Sequence, residues 1–394
     1  MLQSSLTMKA STNDSLEEGG SDMETADVVV IGGGIVGTSI TYHLAKAGAG
    51  KVVLCERKTI GSGTSSMSGA MCGQQAEMTD TISQLAVRAR DIYDNFGDIV
   101  GGDCGFFKYG LLSLHNSMES AEQAAARARK NGSTAQALTL DEAKDFYPEA
   151  NLEGAGAALL YGESGNVDAY RTMQSYVAGA RAYGAEIREF TPVTHIHAKH
   201  GRIEKLETPG GSIVPGKVVL ACGPWSHKVA RSAGLRLPIQ PSQVGVSFYR
   251  QPPDFYDRPP VFSVELAIIP WHNKHFRVLC DRREPLVRVE PDPQSAVPPQ
   301  WMVDWTTEVI ERRLPKMKRG RFQGAYQTCY DDTPDLKPLL GYIAGYENLF
   351  LDCGWSGRGF KFSVALGEYN AKWIMDGKTE LDLAPWLASR FLGA

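Results

Sequence analysis

No stretch of the 394-residue chain reaches the ~20 unbroken apolar residues that a membrane-spanning helix needs. Neither sign of charge dominates: 41 Lys and Arg stand against 45 Asp and Glu. The imbalance falls in the first 26 residues, where Asp14, Glu17, Glu18, Asp22 and Glu24 face only Lys9. A neutral body gives no general attraction to nucleic acid or to an anionic membrane, and neither is expected as a partner. The cluster Arg312, Arg313, Lys316, Lys318, Arg319 and Arg321 is the local exception and reads as a solvated helix end and turn. Cysteine is sparse: seven residues, none in a CxxC pair. An odd, scattered set argues against a disulfide framework and against a zinc site, so no metal is expected and a reducing, cytoplasmic setting is. The N-terminus lacks the charged-then-apolar pattern of a signal peptide. Residues 1–25, rich in Ser, Thr, Gly and acids, read as a flexible tail. The final Phe391-Leu392-Gly393-Ala394 is not a peroxisomal address.

What is present is globular. Hydrophobic residues make up 43% and charged residues 22%, and the length suits two or three domains or one large composite fold. Order is expected from Ala26. Asp27–Ile31 is a short apolar run suited to a buried parallel strand. Thr38–Ala47 has helical spacing with Gly48 as its stop, and Lys51–Cys55 is a second apolar strand closed by Glu56. Further helices are predicted near Ser83–Asn95, Ala121–Lys130, Asp141–Phe146, Val167–Ala182, Trp301–Leu314 and Ser363–Asp376. Strands are predicted at Glu186–Phe190, Val218–Cys222 and Leu349–Cys353, with a loop over Gly354–Lys361. Residues 240–292 alternate apolar and polar positions, as antiparallel strands do.

Parallel-type strands at the start, middle and end, with an antiparallel region between, imply an α/β composite. A Rossmann-like nucleotide domain is built from residues 26–100, 165–225 and 331–394. An antiparallel-sheet substrate domain is inserted as residues 101–164 and 226–330.

Gly32-Gly33-Gly34-Ile35-Val36-Gly37 lies between the first strand and helix. GxGxxG alone is weak evidence, but here the strand-turn-helix-strand context is complete. Gly32 permits the tight turn, Gly34 presents no side chain to a pyrophosphate, and Gly37 lets helix and strand approach. The helix start offers free N–H groups and a positive dipole. Glu56, 24 residues after Gly32, is placed to accept ribose hydroxyls. Glu56 followed by Arg57 and a Gly/Ser/Thr loop favours FAD over NAD, with backbone N–H groups and hydroxyls at Ser62, Thr64, Ser65 and Ser66 continuing along the pyrophosphate and ribityl chain.

These residues resemble the D-amino-acid oxidase-like superfamily, and within it the sarcosine oxidase and dimethylglycine dehydrogenase group. Five segments carry the likeness: Val30–Gly37, Glu56–Ala70, Gly165–Gly184 with Val193, Val218–Trp225 and Thr333–Gly377. The most specific is Gly354-Trp355-Ser356-Gly357-Arg358-Gly359-Phe360-Lys361, after Thr333-Pro334-Asp335. The resemblance implies FAD, held by Ile35, Val36, Glu56, Arg57, the Gly63–Ala70 loop with Gly69 and Ala70, and Val193. It places Gly223, Trp225, Gly357, Arg358, Gly359, Phe360 and Lys361 near the flavin, with Trp355 as an aromatic of the site and Lys361 as the group that activates O2. Met67 stands where dimethylglycine dehydrogenases carry a flavin-linking His. Alignment on Thr333-Pro334-Asp335 puts Thr328, not Cys329, at the linking Cys of monomeric sarcosine oxidase. FAD is therefore expected to be noncovalent.

The implied reaction is oxidation of a C–N bond in a secondary or N-methyl amine or amino acid. Hydride passes to flavin N5, the imine is hydrolysed, and O2 takes the electrons to give H2O2. The alternatives are a dehydrogenase with another acceptor, or a flavin-bearing subunit of a hetero-oligomeric amine oxidase. Homo- and hetero-oligomers both fit. A substrate carboxylate needs Arg or Lys, and Arg250, Arg282, Arg283 and Arg288 lie in the predicted inserted sheet. Trp271, Phe276 and Tyr249 are candidate pocket walls. His43, His195, His197 and His200 read as structural.

Overall fold

A computed structural model of the chain describes residues 23–73, 79–280, 287–292 and 297–392. Most of the expected N-terminal tail, and Arg282 and Arg283, lie outside them. The first strand is Glu24–Ile31 and so starts two residues before Ala26. Glu24 is held there by the Lys51 ammonium and the Arg188 guanidinium, which also keep its carboxyl down at about 2.

Two eight-stranded sheets organise the chain. The first runs in the order Leu339–Tyr342, Leu349–Cys353, Gly211–Leu220, Glu24–Ile31, Val52–Cys55, Glu186–Arg188. Its four inner pairings are parallel, and Leu339–Tyr342 is the antiparallel edge. Val28, Val29, Val30, Val52, Val53 and Leu54 are at most 3% exposed, as expected of strands covered on both faces. One face carries the helices Ile35–Lys46, Ala169–Ala182 and Gly359–Asp376. The first and last cross so closely that a Cβ on Gly367 would stand 2.1 Å from Ser39 Oγ, whose hydroxyl donates to Ser363 O at 2.8 Å. The antiparallel strands His195–Lys199 and Arg202–Thr208 extend this sheet from Gly211–Leu220.

The second sheet runs Arg321–Tyr330, Ser242–Arg250, His275–Cys280, Ala267–Trp271, Val261–Ser263, Leu111–His115, Ala157–Tyr161, Gln136–Leu138. The expected antiparallel sheet has one parallel pair, Val261–Ser263 with Leu111–His115. That pair joins strands from two distant stretches of chain, which no tight turn constrains to run antiparallel. One face packs Phe276, Val278 and Tyr249 against Val309 and Ile310 of the helix Gln300–Arg313. The basic cluster at that helix end is paired: Arg312 and Arg313 with Glu265, Lys316 with Glu149, Arg319 with Asp254. The other face, with Val244, Val246, Ile269 and Leu279, turns toward the 61–73 loop, where a Cβ on Gly69 would meet Ile269 and Leu279.

No described helix is long and apolar enough to cross a membrane. Among the described residues no group of three His, Cys, Asp or Glu is placed to hold a metal.

Candidate functional site

A cleft of about 1160 Å³, counting its open mouth, lies at the C-terminal ends of the parallel strands. Its floor is Gly32–Val36. Gly32 sits at φ +111°, where a Cβ would stand 2.5 Å from Ala221 O. Glycine is the residue that turns the chain there without strain. Gly37 faces away from the cleft: a Cβ would be 1.9 Å from Gly32 O, so it serves the helix–strand approach alone.

Glu56 is 9% exposed; one carboxylate oxygen accepts from Gly33 N–H (2.7 Å) and the other from Lys58 N–H (2.9 Å). Helix Ile35–Lys46 has no capping side chain at Gly34, and the Ser65 hydroxyl accepts its Ile35 N–H at 3.1 Å instead. The 61–73 loop therefore folds back over the helix start. A side chain at Gly34 would meet only Ser65 Oγ, at 3.0 Å, so the space above the turn is open. Helix-start amides, an oriented carboxylate, serine and threonine hydroxyls and a side-chain-free approach form a donor set that fits a dinucleotide.

Arg57, Gly63, Thr64, Ser65, Val193, Gly223, Trp225, Trp355, Gly357, Gly359 and Phe360 also line the cleft. Trp225, expected near the flavin, lines the cleft and is tied to Arg57. The guanidinium lies 4.2 Å from its ring centre, and both groups bond Asp292 from the second-sheet side. Trp355 is 3% exposed, packed on Phe362 and Trp386, with its indole N–H donated to Asp352 at 2.7 Å.

Ser66, Gly69, Ala70, Arg358 and Lys361 are not brought to the cleft wall. Gly69 and Ala70 serve packing, Ala70 at φ +45° with its carbonyl accepting Val167 N–H. Arg358 reaches Leu336 O at 3.5 Å. The loop expected over Gly354–Lys361 is shorter, because helix Gly359–Asp376 begins four residues before the predicted Ser363. Lys361 thus sits on the first helical turn, about 100° around the axis from Phe360. Its ammonium lies 5.8 Å from the Phe362 ring centre.

Two buried aspartates shape the remaining wall and have no motif to announce them. Asp331 accepts Gly354 N–H (2.7 Å) and Ser356 N–H (3.1 Å), and burial pushes its carboxyl up to about 6. Asp352 accepts Trp355 Nε1–H and Asn370 Nδ2–H, both at 2.7 Å, and burial pushes it up to about 7. They hold the Gly354–Gly357 turn against the strand ends. Asp335 of the Thr-Pro-Asp run instead pairs with Arg390 at 2.9 Å.

Tyr330 lines the cleft, so its strand neighbour Cys329 points to the opposite face of the second sheet. Cys55, Cys222 and Cys353 do line it, and burial raises all three thiols, Cys55 to about 11. His43 is buried and held down to about 3 by that burial, and His197 pairs with Glu207 at 2.7 Å. Of the proposed carboxylate anchors, Arg250 is exposed and Arg288 bonds Gln240 O and Asp332. Phe276 and Tyr249 face the helix side of their sheet.

The chain matches the family model described as FAD dependent oxidoreductase over residues 27–373. It is 26% identical to 4-methylaminobutanoate oxidase (formaldehyde-forming) of Paenarthrobacter nicotinovorans, covering 93% of this chain but only 45% of that protein. It is 25% identical to glycine oxidase of Geobacillus kaustophilus, covering 93% and 97%. The fold superposes on L-proline dehydrogenase from P. horikoshii with a TM-score of 0.84 at 24% identity, over 94% and 98% of the two chains. With the glycine turn, Glu56 and the cleft arranged to take the dinucleotide, the chain belongs to the DAO family of FAD-dependent oxidoreductases.

Proposed function

We propose that the protein oxidises the C–N bond of a secondary or N-methyl amine or amino acid, with O2 as the electron acceptor and H2O2 as the product. The observation that carries this is the joint wall of the cleft: a dinucleotide-type turn on one side and the 61–73 loop, backed by the second sheet, on the other. FAD, when bound, supplies the acceptor for the hydride equivalent that leaves the carbon beside nitrogen. The chain's own part is position and field. Gly32–Gly34, Glu56 and Ser65 hold the nucleotide end. Asp331 and Asp352 fix the Gly354–Gly357 turn, and Trp355 and Phe362 close the wall behind it. In this reading residues 26–100, 165–225 and 331–394 carry the nucleotide, and 101–164 with 226–330 carry the substrate face. In this reading Lys361, on the first turn of helix Gly359–Asp376, favours negative charge that develops on oxygen. The seven free cysteines fit a reducing, cytoplasmic setting.

The names of the relatives support an amine or amino-acid substrate. The chain spans under half the length of 4-methylaminobutanoate oxidase. A flavin-bearing subunit of a hetero-oligomeric amine oxidase is the second reading. The test is an anaerobic panel of N-methyl, cyclic and D-amino acids and plain amines, scored by bleaching of the flavin absorbance, followed by admission of air. Bleaching with peroxide release supports the oxidase. Bleaching without peroxide moves the assignment to a dehydrogenase or subunit, and no bleaching across the panel refutes amine oxidation.

A further inference from the structure

Residues 287–292 pair with the start of the strand Ser242–Arg250: Val287 O accepts Gln243 N–H at 2.8 Å, and Val289 N–H donates to Pro241 O at 2.9 Å. Their backbone thus belongs to the inserted-sheet side. Their alternate side chains reach elsewhere. Arg288 meets Asp332 at 3.3 Å, Glu290 meets Lys228 of the helix Ser226–Arg231 at 2.9 Å, and Asp292 meets Arg57 at 2.7 Å.

Asp292 makes the fullest of these links. Its two oxygens accept from the two terminal nitrogens of Arg57, at 2.7 and 3.3 Å, the forked geometry that fixes a guanidinium in its plane. One of these oxygens also accepts the Trp225 indole N–H. The Arg57 guanidinium in turn lies 4.2 Å from the Trp225 ring centre. The indole also closes on the 61–73 loop, where a Cβ at Gly63 would stand 3.1 Å from it. Arg57, Trp225 and Gly63 all line the cleft, and Asp292 is not among the wall residues.

An exposed ion pair contributes little by itself. What counts is what this one immobilises. A free arginine side chain, and an indole with no partner for its N–H, would each turn among rotamers and have to be ordered when a ligand arrives. Asp292 orders both beforehand. Burial works to raise its carboxyl, but the bonds from Arg57 and Trp225 outweigh that and hold it below the usual carboxylate range, so the negative charge stays at neutral pH.

We propose that Asp292 is a positioning residue for the cofactor: from the inserted-sheet side it fixes Arg57 and Trp225 as one plate on the cleft wall, and that plate retains bound FAD. Arg57 directly follows Glu56, so the plate stands at the nucleotide end of the cleft. Retention of FAD is thereby tied to the seating of the inserted sheet on the nucleotide part. The inference rests on the cofactor of the family and not on the amine-oxidation reading.

The experiment uses FAD-loaded protein and the variants Asp292→Ala and Asp292→Asn. Asp254→Ala is the control, because it removes an exposed acid that pairs with Arg319 outside the cleft. FAD release is followed after dilution by the return of flavin fluorescence, and entry by its quenching when FAD meets the FAD-free protein. Asp292→Ala should release FAD at least about fivefold faster, with entry changed less than about twofold, so that affinity falls with the release rate. Asp292→Asn still accepts the indole N–H and should lie between Asp292→Ala and the parent. FAD-free Asp292→Ala should melt within about 2 °C of the parent, as expected for an exposed pair. In the Arg57→Ala background the effect of Asp292→Ala should shrink to less than about half, because the plate is already broken. Parental release in Asp292→Ala overturns the proposal. So does equal acceleration of entry and release, which marks a passive flap, or equal acceleration in Asp254→Ala, which marks a general loss of charge pairing. A larger drop in melting temperature marks a brace of the fold and overturns it too, as does an undiminished effect in the Arg57→Ala background. If Asp292→Ala fails to fold, Asp292→Asn decides alone, and parental release in it overturns the proposal.

Discussion

Gly34 and Gly37 stand three residues apart on one helix start, yet a methyl group added to each should do opposite things. At Gly37 the new Cβ would lie 1.9 Å from Gly32 O. That carbonyl has little room to retreat, because Gly32 is at φ +111° and its N–H is held by Cys55 O at 2.9 Å. Overpacking of this kind costs ~3 kcal/mol at the upper end of its usual range. Replacing a helical glycine returns ~1 kcal/mol of propensity. The net loss for Gly37→Ala is then ~2 kcal/mol, or roughly 4 °C at ~2 °C per kcal/mol for a large chain. At Gly34 the Cβ meets only Ser65 Oγ, at 3.0 Å, and otherwise projects into the cleft. The fold is spared, but a pyrophosphate is pushed off the helix-start amides. Losing one or two charge-assisted hydrogen bonds costs ~1.5–3 kcal/mol. That is roughly 10- to 100-fold in FAD affinity. The assay is a melt of the FAD-free protein followed by an FAD titration read by quenching of flavin fluorescence. Gly34→Ala should melt within about 1 °C of the parent, a fraction of one kcal/mol, and bind weakly. Parental FAD affinity in Gly34→Ala would refute the placement of the pyrophosphate above this turn. Parental stability in Gly37→Ala would refute the packing argument.

Three further outcomes are expected. Acid precipitation of the yellow protein should leave a colourless pellet, because Cys329 faces away from the cleft and the cleft thiols are held protonated by burial; colour in the pellet would refute noncovalent FAD. Lys361→Met should leave substrate reduction intact and slow reoxidation by oxygen at least about tenfold. A unit charge at ~4 Å is worth ~4 kcal/mol at an effective dielectric of ~20, and half of that is roughly 30-fold. Unchanged stopped-flow reoxidation removes Lys361 from the oxygen step. The third concerns pH. Asp352, raised by burial to about 7, binds a proton in the folded state that the unfolded chain has already lost above ~4. Its contribution is therefore full below ~4 and is lost as pH rises through about 7. His43, lowered to about 3, acts in the opposite sense over part of that range, but equally in both proteins. The stability of the FAD-free protein relative to Asp352→Asn should fall between pH 4 and 7, measured by urea unfolding; a flat or rising difference refutes the buried-charge account.

The basic cluster shows how far charge alone can be read. Six cations in ten residues suggest a solvated end, and four of them are matched by Glu265, Glu149 and Asp254, acids that lie 47 to 167 residues away in sequence. Similarly, the sequence predicts a loop over Gly354–Lys361 and a helix only from Ser363. The helix begins at Gly359 because packing against Ile35–Lys46 and Tyr93, whose hydroxyl donates to Phe360 O at 2.7 Å, orders its first turn.

The sequence alone determined the nucleotide turn. Strand, glycines, helix and Glu56 are one local unit, in which each residue's task follows from its neighbours and from backbone sterics. Tertiary structure decided the rest of the cleft. Asp331 and Asp352 each look like an acid at a strand end until burial and the amides of the Gly354–Gly357 turn are seen around them. Asp292 stands between two prolines, and a lone acid there reads as solvated. Its bonds to Arg57 and Trp225, 235 and 67 residues away, exist only once the two sheets are brought together. Long-range pairing sets which side chains lose water, and loss of water is what turns an ordinary charge into a site.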